Sequence, residues 1–187
     1  MPSNQTRPHL ERVLLVAGMP NAGKSNLLRG MFVDPRFGTN GAIPTDAKIK
    51  LVALSRERCL SIRCTSPHEM GESIEHFFEK IDRAMERAWG RFWRFNFACA
   101  VQPRETDITP SIIDICRAMQ KRFCPERIRI AQIDPRQDEL PGNLMVRSEI
   151  DKLRRMSVEV MTLDVHGSPA RERMSNGLLL ADFFDFV

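Results

Sequence analysis

At 187 residues, 42% hydrophobic and 28% charged, the chain has the length and composition of one globular domain with a single substantial core. The formal charge of +4 is a mild basic excess, and the arginines are scattered (Arg83, Arg87, Arg91 and Arg94 in one region, Arg154 and Arg155 in another). They read as solvated helix faces and give no strong nucleic-acid signal. No stretch has the length of a membrane-spanning helix, the polar opening 1–9 has no apolar signal core, and the end Phe186-Val187 carries no prenylation cysteine. A soluble cytoplasmic protein is the expectation.

Along the chain, residues 1–10 read as a loose polar arm and residues 11–187 as one domain. The run 12–17 (RVLLVA) is continuously apolar, as in a central parallel strand buried on both faces. A loop over 18–25 leads to a helix over 26–32, and 33–45, rich in glycine, proline and polar residues, reads as loop. Residues 47–54 and 59–65 are strand-like and flank the charged run 55–58, which predicts an antiparallel hairpin. Helical spacing of Ile74, Phe77, Phe78, Ile81, Ala84, Met85 and Ala88 predicts a helix over 72–89. There follow a strand over 95–101, a helix over 110–123 with Pro110 in its first turn, and a strand over 127–133. A helix over 146–156, a strand over 158–163 and a helix from 169 complete the chain. Alternating strands and helices predict a three-layer α/β fold: a mostly parallel sheet with one antiparallel edge strand and helices on both faces. Five cysteines (Cys59, Cys64, Cys99, Cys116, Cys124) without CxxC spacing read as small buried hydrophobes in a reducing compartment.

The chemistry is concentrated in GMPNAGKS, residues 18–25, which matches GxxxxGK[ST] between a buried strand and a helix. Gly18 and Gly23 let the backbone bend so that N–H groups, including those of Ala22, Lys24 and Asn26, face an anion-sized hollow. The helix N-terminus adds its positive end. Lys24 carries a mobile charge for the β- and γ-phosphates, and the Ser25 hydroxyl suits Mg²⁺. These residues predict a P-loop that binds the phosphates of a nucleoside triphosphate.

GMPNAGKSNLL resembles the loop of the Era, TrmE and Obg group of GTPases, and the element order resembles the Ras-like small GTPase fold over nearly the whole chain. The resemblance implies GTP or GDP, Mg²⁺, and a K⁺ ion held by Asn21, whose other reading is a loop asparagine bonded to its own backbone. It implies a first switch threonine on Mg²⁺, Thr45 first and Thr39 second. The DxxG motif is missing: Cys64 stands at the aspartate position and Pro67, which has no N–H, at the glycine position. His68 falls where several families place the residue that orients the attacking water, and it also reads as an ordinary loop histidine. The guanine-specifying NKxD motif is missing as well; Asp134 or Asp138 could face a base, and Asp134 also has the place of a magnesium aspartate. Residues 162–168 occupy the place of the second base loop without matching it, so ATP stays open.

The leading expectation is a divergent small GTPase that hydrolyses slowly, with Lys24 and His68 in catalysis and a protein effector or a second copy of the chain as partner. The alternatives are a pseudo-GTPase that acts through protein contacts, a P-loop kinase with Arg104, Arg136 and Arg147 available, and an ATPase. The cluster Arg91, Phe92, Trp93, Arg94 and Phe95 reads either as an interface anchor or as the seam between a helix and a core strand.

Overall fold

The apolar run near the N-terminus becomes the middle of a sheet. Strand β1 (His9–Ala17) leaves Leu14, Leu15 and Val16 with no exposed surface, which a strand achieves only where both faces are covered and both edges paired. The computed structural model describes residues 7–46, 48–134, 144–164 and 171–186, without the side chains of 171–174. After β1 come α1 (Lys24–Gly30), the 3-10 turns Met31–Val33 and Pro35–Phe37, β2 (Val52–Ala53), β3 (Arg58–Arg63) and α2 (Ile74–Ala88). Then follow β4 (Arg94–Val101), α3 (Ile112–Phe123), β5 (Arg127–Ile133), α4 (Arg147–Arg155), β6 (Val158–Leu163) and α5 (Arg171–Phe184). The six-stranded sheet has the order β2-β3-β4-β1-β5-β6. Only the β2–β3 pair is antiparallel among the described residues.

Alternation along the strands separates two cores. Val13, Leu15, Phe95, Phe97, Ile128 and Ile130 face one side, where α2, α3 and α4 bring Phe77, Ile81, Ile115, Met119 and Leu153. Leu14, Val16, Ala98, Ala100, Ala131 and Ile133 face the other, against Leu28, Met31 and Phe32 after the P-loop and Leu180 and Phe184 of α5. The chain is thus α/β with helices on both faces, as the alternating pattern predicts.

The last two strands have the expected bounds, and the hairpin differs most. Its first arm shortens from 47–54 to Val52–Ala53, because an edge strand has one neighbour to hold it and Lys48 and Lys50 stay in solvent. The hairpin does supply the antiparallel edge strand, and β4 lies between it and β1. Pro110 falls outside the first turn of α3, whose N-cap is Ser111, its hydroxyl accepting from the Asp114 N–H at 3.3 Å. Phe92 and Phe95 of the aromatic-basic cluster are buried, so there it is a seam, while Trp93 is 62% exposed.

One close approach fixes α1 against α5. A Cβ placed on Gly177 would lie 2.2 Å from the Gly30 carbonyl oxygen and 2.4 Å from its carbon. Both atoms are backbone and cannot rotate away. Gly177→Ala should therefore push the two helices apart at a cost of about 1–3 kcal/mol, lowering the thermal midpoint by roughly 2–4 °C per kcal/mol. An unchanged melting curve would mean that α1 and α5 do not meet in this way.

Candidate phosphate-binding site

The site begins where β1 runs out. Gly18 N–H donates to the Val101 carbonyl at 3.2 Å, so the backbone leaves the sheet from beside β4. A Cβ on Gly18 would stand 3.0 Å from that of Ala22, which is why a glycine is required at the exit. The chain reverses through two left-handed residues, Asn21 (φ 63°) and Gly23 (φ 91°); asparagine and glycine are the residue types that adopt this conformation at least cost. The loop closes on itself through the Ala22 N–H to the Met19 carbonyl (3.2 Å). No side chain caps the start of α1, so its first amides are left for solvent or an anion.

These turns open a cleft of about 690 Å³ lined by Pro20, Asn21, Gly23, Lys24, Ser25, Asn26 and Glu69. Lys24, only 4% exposed, donates from Nζ to the Met19 carbonyl at 2.8 Å and meets Glu69 Oε1 at 3.0 Å. Ser25 Oγ donates to the Cys64 carbonyl at 2.8 Å. Of the residues expected to bind phosphate, Asn21, Gly23, Lys24, Ser25 and Asn26 all line the cleft. Gly18 and Ala22 shape it from behind.

The remaining candidates lie around this centre. Thr45 is exposed on a loop that Arg29 of α1 holds through the Pro44 and Asp46 carbonyls, at 2.6 and 2.7 Å. Thr39 closes the preceding turn, its hydroxyl donating to the Phe32 carbonyl at 2.8 Å. Cys64, at the aspartate position, reaches Ser25 with a carbonyl; burial pushes its thiol up, more than Arg29 lowers it. Pro67 lacks an N–H, and its carbonyl takes the Met70 and Glu72 amides at 3.2 and 3.0 Å. Asp134 ends β5, its N–H on the Leu163 carbonyl at 3.0 Å, outside the cleft lining. Asp138, Arg136 and 165–168 lie outside the described residues. Arg104 pairs with Glu149 beside a separate cavity, and Arg147 starts α4.

His68 is no surface loop histidine. It is 7% exposed, with Nε2 3.0 Å from the Pro110 carbonyl and Nδ1 accepting the Gln102 N–H at 3.3 Å. Those partners require the tautomer with its proton on Nε2. Both nitrogens are engaged away from the cleft, so the ring clamps the turn after β3 to the end of β4 and the start of α3.

The sequence gives no sign of Glu69. An acid 45 positions after Lys24 has no periodic relation to it, and only the sheet brings the β3 exit onto the P-loop. No protein-family model matches the chain, and no curated protein matches it.

Burial pushes the His68 ring below its ordinary 6.5, more than the Pro110 carbonyl raises it. A ring kept neutral in the fold contributes stability that is complete above the ordinary value and is lost as pH falls. Burial raises Glu11 and Glu72, but their arginine and lysine partners outweigh it and hold both below 4.5, so these carboxylates act at lower pH. Thermal stability should accordingly decline between about pH 7 and pH 5, and His68→Gln should flatten that decline. An equally steep profile in the variant would remove His68 as its source.

Proposed function

We propose that the chain binds a nucleoside triphosphate with Mg²⁺ in the P-loop cleft and acts as a divergent small GTPase that hydrolyses slowly. The observation that carries this is the buried ammonium of Lys24, held at the wall of a cleft lined mainly by residues of the GxxxxGK[ST] motif, with Asn26 and Glu69 beside them. An ammonium brought that far from water is costly unless an anion meets it; the Glu69 carboxylate does so at 3.0 Å, and phosphate oxygens are the further anion this loop shape suits.

In this reading Lys24 and the amides of Gly23, Ser25 and Asn26 gather the charge of the β- and γ-phosphates. The Ser25 hydroxyl, now on the Cys64 carbonyl, would help hold Mg²⁺, which would neutralise phosphate charge when bound. Thr45, on the loop tethered by Arg29, would be the second residue to hold Mg²⁺, and Asn21, which lines the cleft, would hold a K⁺ ion. The attacking water is oriented by groups other than His68 while the ring keeps its present bonds. With adenine nucleotides instead, Asp134 is the magnesium candidate.

A second reading, a nucleotide-holding module without turnover, is favoured by one contact. Where GTPases place a carboxylate, Ser25 meets the neutral Cys64 carbonyl. Both readings share the phosphate site and part at hydrolysis.

Titration with the Mg²⁺ complexes of GTP, GDP, ATP and ADP, with phosphate release followed, separates them. Guanine preference with slow release supports the GTPase, tight binding without release the module, and ATP preference an ATPase or kinase. Lys24→Ala should lower triphosphate affinity by about 100-fold, a loss of roughly 3 kcal/mol, while the circular dichroism spectrum stays native; unchanged affinity would sink the phosphate site. If Asn21 holds K⁺, release should run faster in K⁺ than in Na⁺, and equal rates would reject that role.

A further inference from the structure

The carboxylate on Lys24 belongs to none of the roles above. Glu69 Oε1 stands 3.0 Å from Nζ, and Oε2 lies 3.4 Å from the Ser66 N–H that donates to it. The backbone carrying Glu69 is held by other bonds. Met70 N–H reaches the Ser66 and Pro67 carbonyls, Glu72 N–H the Pro67 carbonyl, and the Thr109 hydroxyl the Glu72 carbonyl at 2.6 Å. Both His68 nitrogens are engaged as described. None of these bonds uses the Glu69 carboxylate. The side chain is 36% exposed and lines the open cleft, so its rotatable bonds can carry the carboxylate away while the turn stays in place.

A carboxylate and a phosphate compete for one ammonium. If both stayed, two anions would stand about 4 Å apart at the wall of a partly buried cleft, where their repulsion exceeds that of the same charges in water. Lys24 of a P-loop serves the β- and γ-phosphates together. In the phosphate-site reading, a diphosphate would contest Glu69 for Lys24 at one phosphate, whereas a triphosphate would contest it at two.

We propose that Glu69 is an internal stand-in for the terminal phosphate: it holds Lys24 in the empty protein, must swing out when a triphosphate enters, and so biases the site toward diphosphates. This rests on the phosphate-site reading above and makes Glu69 a specificity-determining residue rather than a catalytic one.

Inorganic tripolyphosphate and pyrophosphate, titrated calorimetrically, test the proposal without involving the unidentified base. Glu69→Gln should bind tripolyphosphate about tenfold more tightly than the wild type, and pyrophosphate about threefold more tightly. Glu69→Ala, which leaves no amide oxygen to meet Lys24, should shift both in the same direction. Equal gains for the two anions, or affinities unchanged within twofold in both variants, would overturn the proposal. Lys24→Ala separates the two levels. Unchanged variants at position 69 with binding lost in Lys24→Ala would leave the phosphate site standing and remove Glu69 from it. Wild-type binding that Lys24→Ala does not weaken would overturn the phosphate site and this proposal together.

Discussion

β1 is paired in parallel along both edges, from His9 to Ala17 with β4 and from Arg12 to Ala17 with β5, and that double pairing determines where its last residue can lie. Gly18 adds one more bond to β4 through the Val101 carbonyl before the chain turns. The crevice at the carboxyl end of such a strand, between neighbours reached by separate crossovers, is where open α/β sheets hold their ligands. The loop cannot drift from it, because Ala22 packs under Gly18 and α1 is pinned to α5 at the Gly30–Gly177 contact. The position of Lys24 is therefore set by the sheet, the Ala22 methyl under Gly18 and the backbone contact of Gly30 with Gly177.

A lysine set so firmly must be accommodated electrostatically. At 4% exposure its ammonium has given up most of its hydration, and a lone buried charge costs several kcal/mol even after relaxation. The Met19 carbonyl and the Glu69 carboxylate offset that cost. Carbonyl and carboxylate differ in kind, however. Met19 O is part of the loop and stays, while Glu69 is a side chain on a neighbouring turn and can leave.

The strands and the strand–loop–helix around residues 18–25 were largely legible in the sequence. β1 reads as an apolar run, β5 and β6 show their bounds through alternating and β-branched residues, and the left-handed requirement at 21 and 23 is written as asparagine and glycine. Where tertiary context decides, the sequence is silent. The first hairpin arm alternates plausibly, yet its edge position leaves two residues in the ladder. Nothing local reveals that β4 enters between β1 and β3. His68 looks like any loop histidine until the Pro110 carbonyl and Gln102 amide are brought to it, and the Lys24–Glu69 pair depends on the same long-range folding.

The turn after β3 departs from the pattern expected of a GTPase, and there the departures form a consistent arrangement. Cys64 gives a carbonyl to Ser25, Pro67 gives a carbonyl to the amides of Met70 and Glu72, and His68 spends both nitrogens on β4 and α3. A glycine at position 67 would offer an amide to a phosphate and leave the turn free to move. Proline removes the amide and stiffens the backbone. With its backbone committed, the turn can respond to an incoming phosphate chiefly through a side chain. Glu69 is the residue of that turn that lines the cleft, so if the cleft takes a terminal phosphate as proposed, contact from this side passes from a backbone amide to a carboxylate, and from attraction to competition.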